Sequence, residues 1–192
     1  MSVQHSAIVL DADNHEPKGA PTALVGKVYV ANGAGSGTWS YPSGTFFADM
    51  YIDLGATAQT LSAASAYAKL DPGTEWHAGV SSGCTINATT GEITLTNAGT
   101  YSVDFWISFD TASLAAGTKY YFKYAIDGVT SPRILSVQKN SAGADRLTCA
   151  ASGLATVTAG QVLSIHVAGD GTSSSTNITV ADAGVTAVFI KA

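Results

Sequence analysis

From Phe46 onward, hydrophobic and polar residues alternate in short runs that are separated by turn residues. In Tyr101–Phe109 the odd positions are apolar or aromatic, whereas the even positions are polar except for Trp106. A period of two residues is typical of a strand with one buried face, and the regular spacing of such runs is typical of a sandwich or barrel. The predicted strands are Phe47–Leu54, Ala66–Leu70, Glu92–Asn97, Thr100–Asp110, Thr118–Asp127, Arg133–Lys139, Asp145–Val157 with a break at Ser152-Gly153, Gln161–Ala168, Asn177–Ala181 and Val185–Lys191. About ten strands and no helix predict an all-β protein with two packed antiparallel sheets.

The last predicted strand is apolar on both faces. Val185 and Ala187 lie on one face together with Phe189, while Val188 and Ile190 lie on the other. One face of a surface sheet normally meets water, so a second apolar face indicates a partner, and another copy of the chain is the simplest one. An inner strand covered by loops is the alternative. The predicted interface residues of the oligomer are Tyr121, Val188, Phe189 and Ile190.

Residues 1–45 have a different texture. They contain three of the five prolines and one strand-like run, Lys27–Ala31, and the remainder reads as extended chain with turns. In KVYVANGAGSGTW the glycine spacing is G-x-G-x-G, and no helix follows it, which argues against a phosphate-binding loop. The glycines therefore predict a flexible link. We divide the chain into an N-terminal arm, residues 1–45, and a β-sandwich, residues 46–192.

The composition excludes several classes of partner. Charged residues make up 12% of the chain, the net charge is −5, and no run of Lys or Arg could follow a phosphate backbone, so nucleic acid and anionic membrane are not expected partners. No stretch reaches the ~20 apolar residues of a membrane helix. The N-terminus lacks the basic start and apolar core of a secretory signal, so we expect assembly in the cytosol. There Cys84 and Cys149 should be free, partly buried thiols, with a disulfide as the alternative.

Candidate catalytic and metal-binding groups are sparse. The four histidines stand too far apart for a zinc site of ordinary spacing: His5, His15, His77 and His166. The segment LDADNHEPKG begins like a calcium loop, but Glu16 stands where that loop needs a glycine, so a turn is the better interpretation. No periodicity brings together the carboxylates of Asp53, Glu92 and Asp104. The sequence predicts no enzyme, no cofactor and no metal.

Three stretches between Ala56 and Ala192 resemble the jelly roll of the tumour necrosis factor and complement type. They are EITLTNAGTYSVDFWISFDT, similar to that family's central G-x-Y strand, LATVTAGQVLSIHVAGDGT, similar to its L-x-A-G-D turn and the strand after it, and NITVADAGVTAVFIKA, similar to its closing pair. Gln161 stands where an aspartate is common. The resemblance implies an antiparallel jelly-roll sandwich, and because members of this family are compact trimers, it implies a homotrimer.

The arm is similar to the N-terminal segment of decoration and head-fibre proteins of tailed bacteriophages. The matching elements are H-x-P-K-G-A, residues 15–20, and VYVANGAGSGTW. The resemblance implies a virion protein on the capsid surface, whose arm docks on the major capsid protein while the jelly roll projects as a trimeric knob. The glycines would let a strand leave the docking region, with Trp39 and Tyr41 as anchors. The implied capsid-binding residues are His15, Pro17, Lys18, Gly19, Ala20, Val28, Tyr29 and Trp39.

Two other functions compete with this interpretation. A receptor-binding fibre tip would hold a host glycan or surface protein, and Trp76 and His77 in DPGTEWHAG suit sugar stacking. A hydrolase of capsule polysaccharide would need carboxylates clustered in a groove.

Overall fold

The computed structural model describes residues 25–31, 37–61, 66–71, 73, 75–111, 115–140, 142–143, 145–171 and 177–191. Within these ranges the chain forms fifteen strands and no helix. The strands are β1 Val28–Ala31, β2 Gly37–Ser40, β3 Phe47–Ile52, β4 Ala58–Thr60, β5 Ala68–Lys69, β6 Trp76–Ser82, β7 Cys84–Asn87, β8 Glu92–Leu95, β9 Gly99–Thr111, β10 Lys119–Ile126, β11 Val129–Thr130, β12 Leu135–Gln138, β13 Asp145–Val157, β14 Gln161–Gly169 and β15 Asn177–Lys191.

Two antiparallel sheets pack face to face. In the described part of the chain, one sheet has six strands in the order β13-β9-β15-β3-β6, with β4 beside β15. The other has seven strands in the order β11-β10-β14-β8-β7, with β12 beside β10 and β5 beside β14. From β8 to β15 the chain crosses repeatedly from one sheet to the other, which is the connectivity of a jelly roll. The predicted fold class, an all-β antiparallel jelly-roll sandwich, is confirmed.

Aromatic side chains from both sheets fill the space between them. Tyr101, Phe109 and Phe189 of the six-stranded sheet and Tyr120 and Phe122 of the seven-stranded sheet are fully buried. The Phe109 ring joins the sheets, because its centroid lies 5.2 Å from the rings of both Tyr120 and Phe122. Burial of each such ring contributes about 1.5–3 kcal/mol relative to leaving it in water.

Strand β13 is unbroken where the sequence predicts an interruption. Its register with β9 runs without a shift, and it pairs Ser152 with Asp104 and Gly153 with Val103. Gly153 instead marks a close approach, since a Cβ there would lie 3.1 Å from the ring of Tyr124. The Tyr124 hydroxyl donates a hydrogen bond of 3.0 Å to the carbonyl of Leu154. The glycine therefore admits a ring from the other sheet.

The last strand is also continuous, although the sequence predicts two strands there. β15 pairs with β4 at residues 177–179 and with β3 at residues 183–188. At the position of the predicted break, the carboxylate of Asp182 accepts a hydrogen bond from the backbone N–H of Leu54, at 3.3 Å. Strands β6 and β7 are missing from the predicted strands. β6 is rich in Gly and Ser, and β7 has only four residues, so neither shows a clear alternation. β6 belongs to the six-stranded sheet and β7 to the seven-stranded sheet, and the chain passes from one to the other at Gly83. Gly83 has a positive φ of 57° and lies against the Phe46 ring.

The described residues divide into two compact units. The larger unit is Ser43–Ile190 and holds the sandwich. The smaller unit holds the described residues before Ser43, with β1 and β2, together with Lys191. The roles given above to residues 1–45 and 46–192 remain predictions.

Candidate functional site

Strands β1 and β2 form an antiparallel hairpin with two different faces. Tyr29 pairs with Trp39, and their rings pack edge to face with centroids 5.4 Å apart. Gly37 lies under the Tyr29 ring, where a Cβ would stand 2.8 Å from Cε1. Val28 and Val30 on the other face are each about half exposed. The hairpin therefore has one aromatic face and one aliphatic strip, which consists of Val28 and Val30.

The glycine-rich segment was predicted as a link that lets a strand leave, and this is wrong for its second half. Gly37–Ser40 turns back and pairs with Val28–Ala31. Of the predicted capsid-binding residues, His15, Pro17, Lys18, Gly19 and Ala20 lie outside the described residues. Val28 lies on the aliphatic strip, and Tyr29 and Trp39 lie on the aromatic face. The hairpin thus brings Val28, Tyr29 and Trp39 together in one small element.

The outer face of the six-stranded sheet is centred on Trp106. The Trp106 side chain is 45% exposed and lies across Gly184, where a Cβ would approach the indole Nε1 within 2.4 Å. Asp104, Ser152 and Thr186 border an opening of about 320 Å³ beside the indole. On the same outer face Tyr51, Val188 and Ile190 also expose apolar surface. The hydrogen-bonded side chains of Thr186 and Asp49 lie between Tyr51 and Val188. We call this face the Trp106 face: Tyr51, Trp106, Val188 and Ile190.

A second apolar surface lies where the edges of the two sheets meet. Strand β13 is the edge of the six-stranded sheet, and between it and β11 runs a groove of about 580 Å³. Val129 and Leu154 line this groove and are largely exposed. Ile134, also exposed, borders a smaller cavity of about 60 Å³ beside it. We call this surface the edge groove: Val129, Ile134 and Leu154. Exposed strand edges with apolar neighbours are common association sites.

The four predicted interface residues fall in three different places. Val188 and Ile190 belong to the Trp106 face. Tyr121 lies on the outer face of the other sheet, since its neighbours Tyr120 and Phe122 point into the core. Phe189 is 0% exposed and packs against Phe46 and Tyr101, with ring centroids 5.3 and 5.5 Å away. The assignment of Phe189 to an interface is therefore wrong, because its side chain already lies in the core of one chain.

The residues of the edge groove were missed in the sequence, whereas Trp106 left a signal. Trp106 is an aromatic residue at a polar position of an alternating strand, and such an exception predicts an exposed apolar side chain. Ile134 and Leu154 gave no comparable signal, because only the order of strands in a sheet determines which strand is an edge.

An ion pair fixes one end of the β9–β13 pairing. Arg146 donates to both carboxylate oxygens of Asp110, from Nε at 2.9 Å and from the terminal nitrogen at 2.7 Å. These hydrogen bonds hold the pKa of the Asp110 carboxyl below its usual value. Both side chains are about half exposed, so water screens the pair and its contribution to stability is small. It favours the register without stabilising the fold greatly.

The two cysteines are free, as predicted. Cys84 is buried and Cys149 is half-buried. Burial raises the pKa of the Cys84 thiol, and it raises the pKa of Cys149 to about 12. Because the thiolate is the nucleophilic form, neither cysteine is activated at neutral pH.

The predicted sugar-stacking site at Trp76 and His77 is wrong for Trp76. Its indole is 3% exposed, because strand alternation turns Trp76 into the core and His77 outward. A Cβ at Gly91 would approach the indole Nε1 within 2.5 Å. His77 packs on Tyr51 instead, with ring centroids 5.4 Å apart.

The structure does not assemble a cluster of acidic groups from the predicted carboxylates. Glu92 lies on the outer face of the seven-stranded sheet and Asp104 on that of the six-stranded sheet. Among the described residues, no three side chains of His, Cys, Asp or Glu could hold a metal ion together. The same residues include no helix with the length and hydropathy to cross a bilayer.

Comparisons with known proteins give matches of fold. No protein-family model matches the sequence, and no curated protein does. Solved structures similar to this chain include Eiger TNF from S. frugiperda, at 10% identity and a TM-score of 0.46, covering 76% of this chain and 93% of that one. The globular domain of zebrafish complement 1qA protein matches at 12% identity and a TM-score of 0.46, covering 76% and 96%. Murine APRIL matches at 8% identity and a TM-score of 0.43, covering 75% and 99%.

Proposed function

We propose that the chain is a structural virion protein, a homotrimer that binds the major capsid protein through its N-terminal arm and holds its jelly roll on the outside of a phage capsid. The observation that carries the proposal is a sandwich with two unlike apolar surfaces, the Trp106 face and the edge groove. The resemblance of residues 15–20 and of VYVANGAGSGTW to decoration and head-fibre proteins supplies the capsid as partner.

Two unlike surfaces on one chain favour a closed ring. A contact in which the Trp106 face of one copy meets the edge groove of the next is heterologous, and its repetition gives a ring when the rotation from copy to copy closes and an open filament when it does not. Three copies is the number that the sequence resemblance implies. Both surfaces carry exposed aliphatic or aromatic side chains, which are typical of an interface core.

The ring model predicts that a single charge in either surface dissociates the trimer. We expect Val188→Asp in the Trp106 face and Leu154→Asp in the edge groove to give folded monomers, since burying an unpaired carboxylate is costly. Sedimentation velocity at micromolar concentration measures the mass. Leu54→Asp is the matched control, because Leu54 is largely exposed and belongs to neither surface. It should remain trimeric.

Mixing the two variants tests the heterologous geometry. The Leu154→Asp chain keeps an intact Trp106 face, and the Val188→Asp chain keeps an intact edge groove. One good contact can then form between the two variants, so their mixture should contain a heterodimer that neither forms alone. If both variants stay trimeric, or if their mixture stays monomeric, the proposed ring is wrong.

The hairpin supports the role of the arm as a docking element. Among the described strands, β1 and β2 form a two-stranded sheet, and a sheet of that size gains little stability by itself in water. Val28 and Val30 expose about half of their surfaces. A capsid surface that covered this strip would stabilise the hairpin as it binds. Three arms on one trimer would then raise the apparent affinity roughly 100- to 10,000-fold over one arm, provided that the sites on the capsid match the spacing.

Removal of the aliphatic strip tests docking without loss of the trimer. We expect the double variant Val28→Asp/Val30→Asp to bind purified capsids at least tenfold more weakly, because two apolar contacts would be replaced by charges. Co-sedimentation with capsids measures binding, and the mass of the variant should still be that of the wild-type oligomer. Val25→Asp, a change at an almost fully exposed residue outside the hairpin, is the control. Undiminished decoration by the double variant would contradict the docking role.

A further inference from the structure

The outer face of the seven-stranded sheet carries a trough along β14. Its floor consists of Ser164, His166 and Ala168, which alternate with the core residues Leu163, Ile165 and Val167. These floor residues are buried although they point away from the core. Longer side chains of the neighbouring strands therefore stand above them as walls.

Two lysines flank the histidine in the middle of the trough. The register places Lys123 of β10 opposite His166 on one side and Lys69 of β5 opposite it on the other. Opposite residues share a face of the sheet, so the three side chains form one row. Whether or not His166 is protonated, the two lysines give this row two positive charges, in a chain whose net charge is −5.

An aromatic rim lies beside this row. Tyr121 stands opposite Ala168, and Tyr67 directly precedes β5. The ammonium of Lys123 lies 4.6 Å from the centre of the Tyr67 ring and so reaches across the trough. Burial, and then the proximity of Tyr121, raises the pKa of the Tyr67 hydroxyl above its usual value. The two tyrosines therefore lie close to each other on this face of the sheet.

The other end of the trough provides acceptors and hydroxyl groups. Lys69 forms an ion pair of 2.9 Å with Glu92, which also accepts a 2.7 Å hydrogen bond from the hydroxyl of Thr90. Those two contacts lower the pKa of Glu92, the hydroxyl contact being the larger cause. Glu92 is therefore a carboxylate that can accept hydrogen bonds from neutral hydroxyl groups.

His166 has an unmet hydrogen-bonding capacity. It is 8% exposed, and its Nε2 lies 3.2 Å from the hydroxyl of Ser164. Its Nδ1 is buried and has no hydrogen-bond partner among the described residues. Buried polar atoms in proteins are nearly always paired. An unpaired ring nitrogen between two lysines points to a ligand that brings an acceptor for the protonated ring.

We propose that the trough along β14 is a binding site for an acidic saccharide, a sugar ring that carries a carboxylate. The carboxylate would lie between Lys123 and His166 and accept charge-assisted hydrogen bonds from both. The ring would pack against Tyr67 and Tyr121, and its hydroxyl groups would donate to Glu92. Lys123 would leave the Tyr67 ring to make its contact. The trough lies on the outer face of the seven-stranded sheet, and none of its named residues belongs to the Trp106 face or to the edge groove.

The geometry also gives the binding a pH dependence. The groups that face His166 are Lys123 from β10, Lys69 and Tyr67 from the β5 segment, Glu92 from β8 and Ser164 from its own strand. Burial, and then the charge of Lys69, lowers the pKa of His166 below its usual value, so the free protein holds a neutral ring at neutral pH. A bound carboxylate favours the protonated ring and must raise this pKa. By linkage, the affinity for the carboxylate must rise as the pH falls.

Titration of the whole protein with glucuronate tests the site. We expect saturable binding, seen as NMR chemical-shift changes at the Tyr67, Tyr121 and His166 signals. Binding should be tighter at about pH 5.5 than at about pH 7.5, although the sugar carboxylate is ionised at both pH values. Glucose lacks the carboxylate and acetate lacks the ring, so each should bind at least about tenfold more weakly. Equal affinity for glucuronate and either of these compounds would overturn the proposal, as would an affinity that does not rise at the lower pH.

Two lysines of the same strand provide matched variants. Lys123→Met should weaken glucuronate binding about tenfold or more, since it removes one charge-assisted hydrogen bond. Lys119→Met removes an equal charge from the same face of β10, four residues away, and should bind as the wild type does. If both variants lose binding equally, the sugar senses only general charge and the proposed site is wrong. Neither residue belongs to the Trp106 face or the edge groove, so the mass of both variants should be unchanged, and failure of this site is distinct from failure of the trimer.

Discussion

Replacement of Phe189 by alanine should lower the free energy of unfolding by about 3–5 kcal/mol. The Phe189 ring is fully buried and packs edge to face against Phe46 and Tyr101. Its removal loses the free energy gained by transferring the ring from water to the core, and it leaves a cavity that the two neighbouring rings cannot fill. Because whole domains are stable by only about 5–15 kcal/mol, this is a large part of the total. Equilibrium unfolding in urea, followed by tryptophan fluorescence, measures the change.

A substitution at the next residue separates core packing from association. Ile190→Ala removes an exposed side chain of the Trp106 face, and we expect it to change the unfolding free energy of a monomeric background such as Val188→Asp by less than about 0.5 kcal/mol. Phe189→Ala in the same monomeric background should lower the free energy of unfolding as much as it does in the wild type. If that cost vanished once the protein was monomeric, Phe189 would act at an interface after all.

Removal of the partner of the buried Lys139 should be the second most damaging change. The Lys139 side chain is 0% exposed, and its ammonium donates to the carbonyl of Gly143 and lies 3.3 Å from the carboxylate of Asp145. Asp145→Asn leaves that charge without a counterion in a buried place. Since Asp145 is itself 38% exposed, we expect a loss of about 2–4 kcal/mol, between the values for exposed and fully buried pairs.

A double variant shows whether the stranded charge is the cause. Lys139→Met keeps a buried, unbranched side chain and removes the charge, so it should cost less than Asp145→Asn. In the Lys139→Met/Asp145→Asn chain no uncompensated charge remains, and we expect the double variant to be more stable than Asp145→Asn alone, as measured by the midpoint of urea unfolding. Additive losses would show instead that the two side chains act independently.

Much of the core could be read from the sequence, because strand alternation is a local property. The odd positions of Tyr101–Phe109 and the face shared by Val185, Ala187 and Phe189 both lie where the period of two residues puts them. The same alternation places Trp106, Val188 and Ile190 outside. The resemblance to a jelly roll added the fold class, and the sheet topology confirms it.

Other features could not be predicted, because they depend on which strands become neighbours. Trp76 was expected to be exposed for sugar stacking, but β6 pairs with β3 and turns it into the core. The sequence predicts a strand break at Gly153, but this glycine lies within β13 and faces the ring of Tyr124 across the sandwich. The second strand of the hairpin was hidden in a segment without hydrophobic alternation, and its pairing with β1 decides its conformation.

By itself, the sequence determined that this chain is an antiparallel β-protein with few reactive groups, and it determined which side of most strands is buried. Only the tertiary structure decided that Ile134 and Leu154 lie at an open edge, that Tyr121 and Val188 face opposite ways, and that two lysines enclose His166. The physical reason is that alternation is set by neighbouring residues along one strand, whereas edges, faces and side-chain rows arise from hydrogen bonds between residues far apart in the sequence.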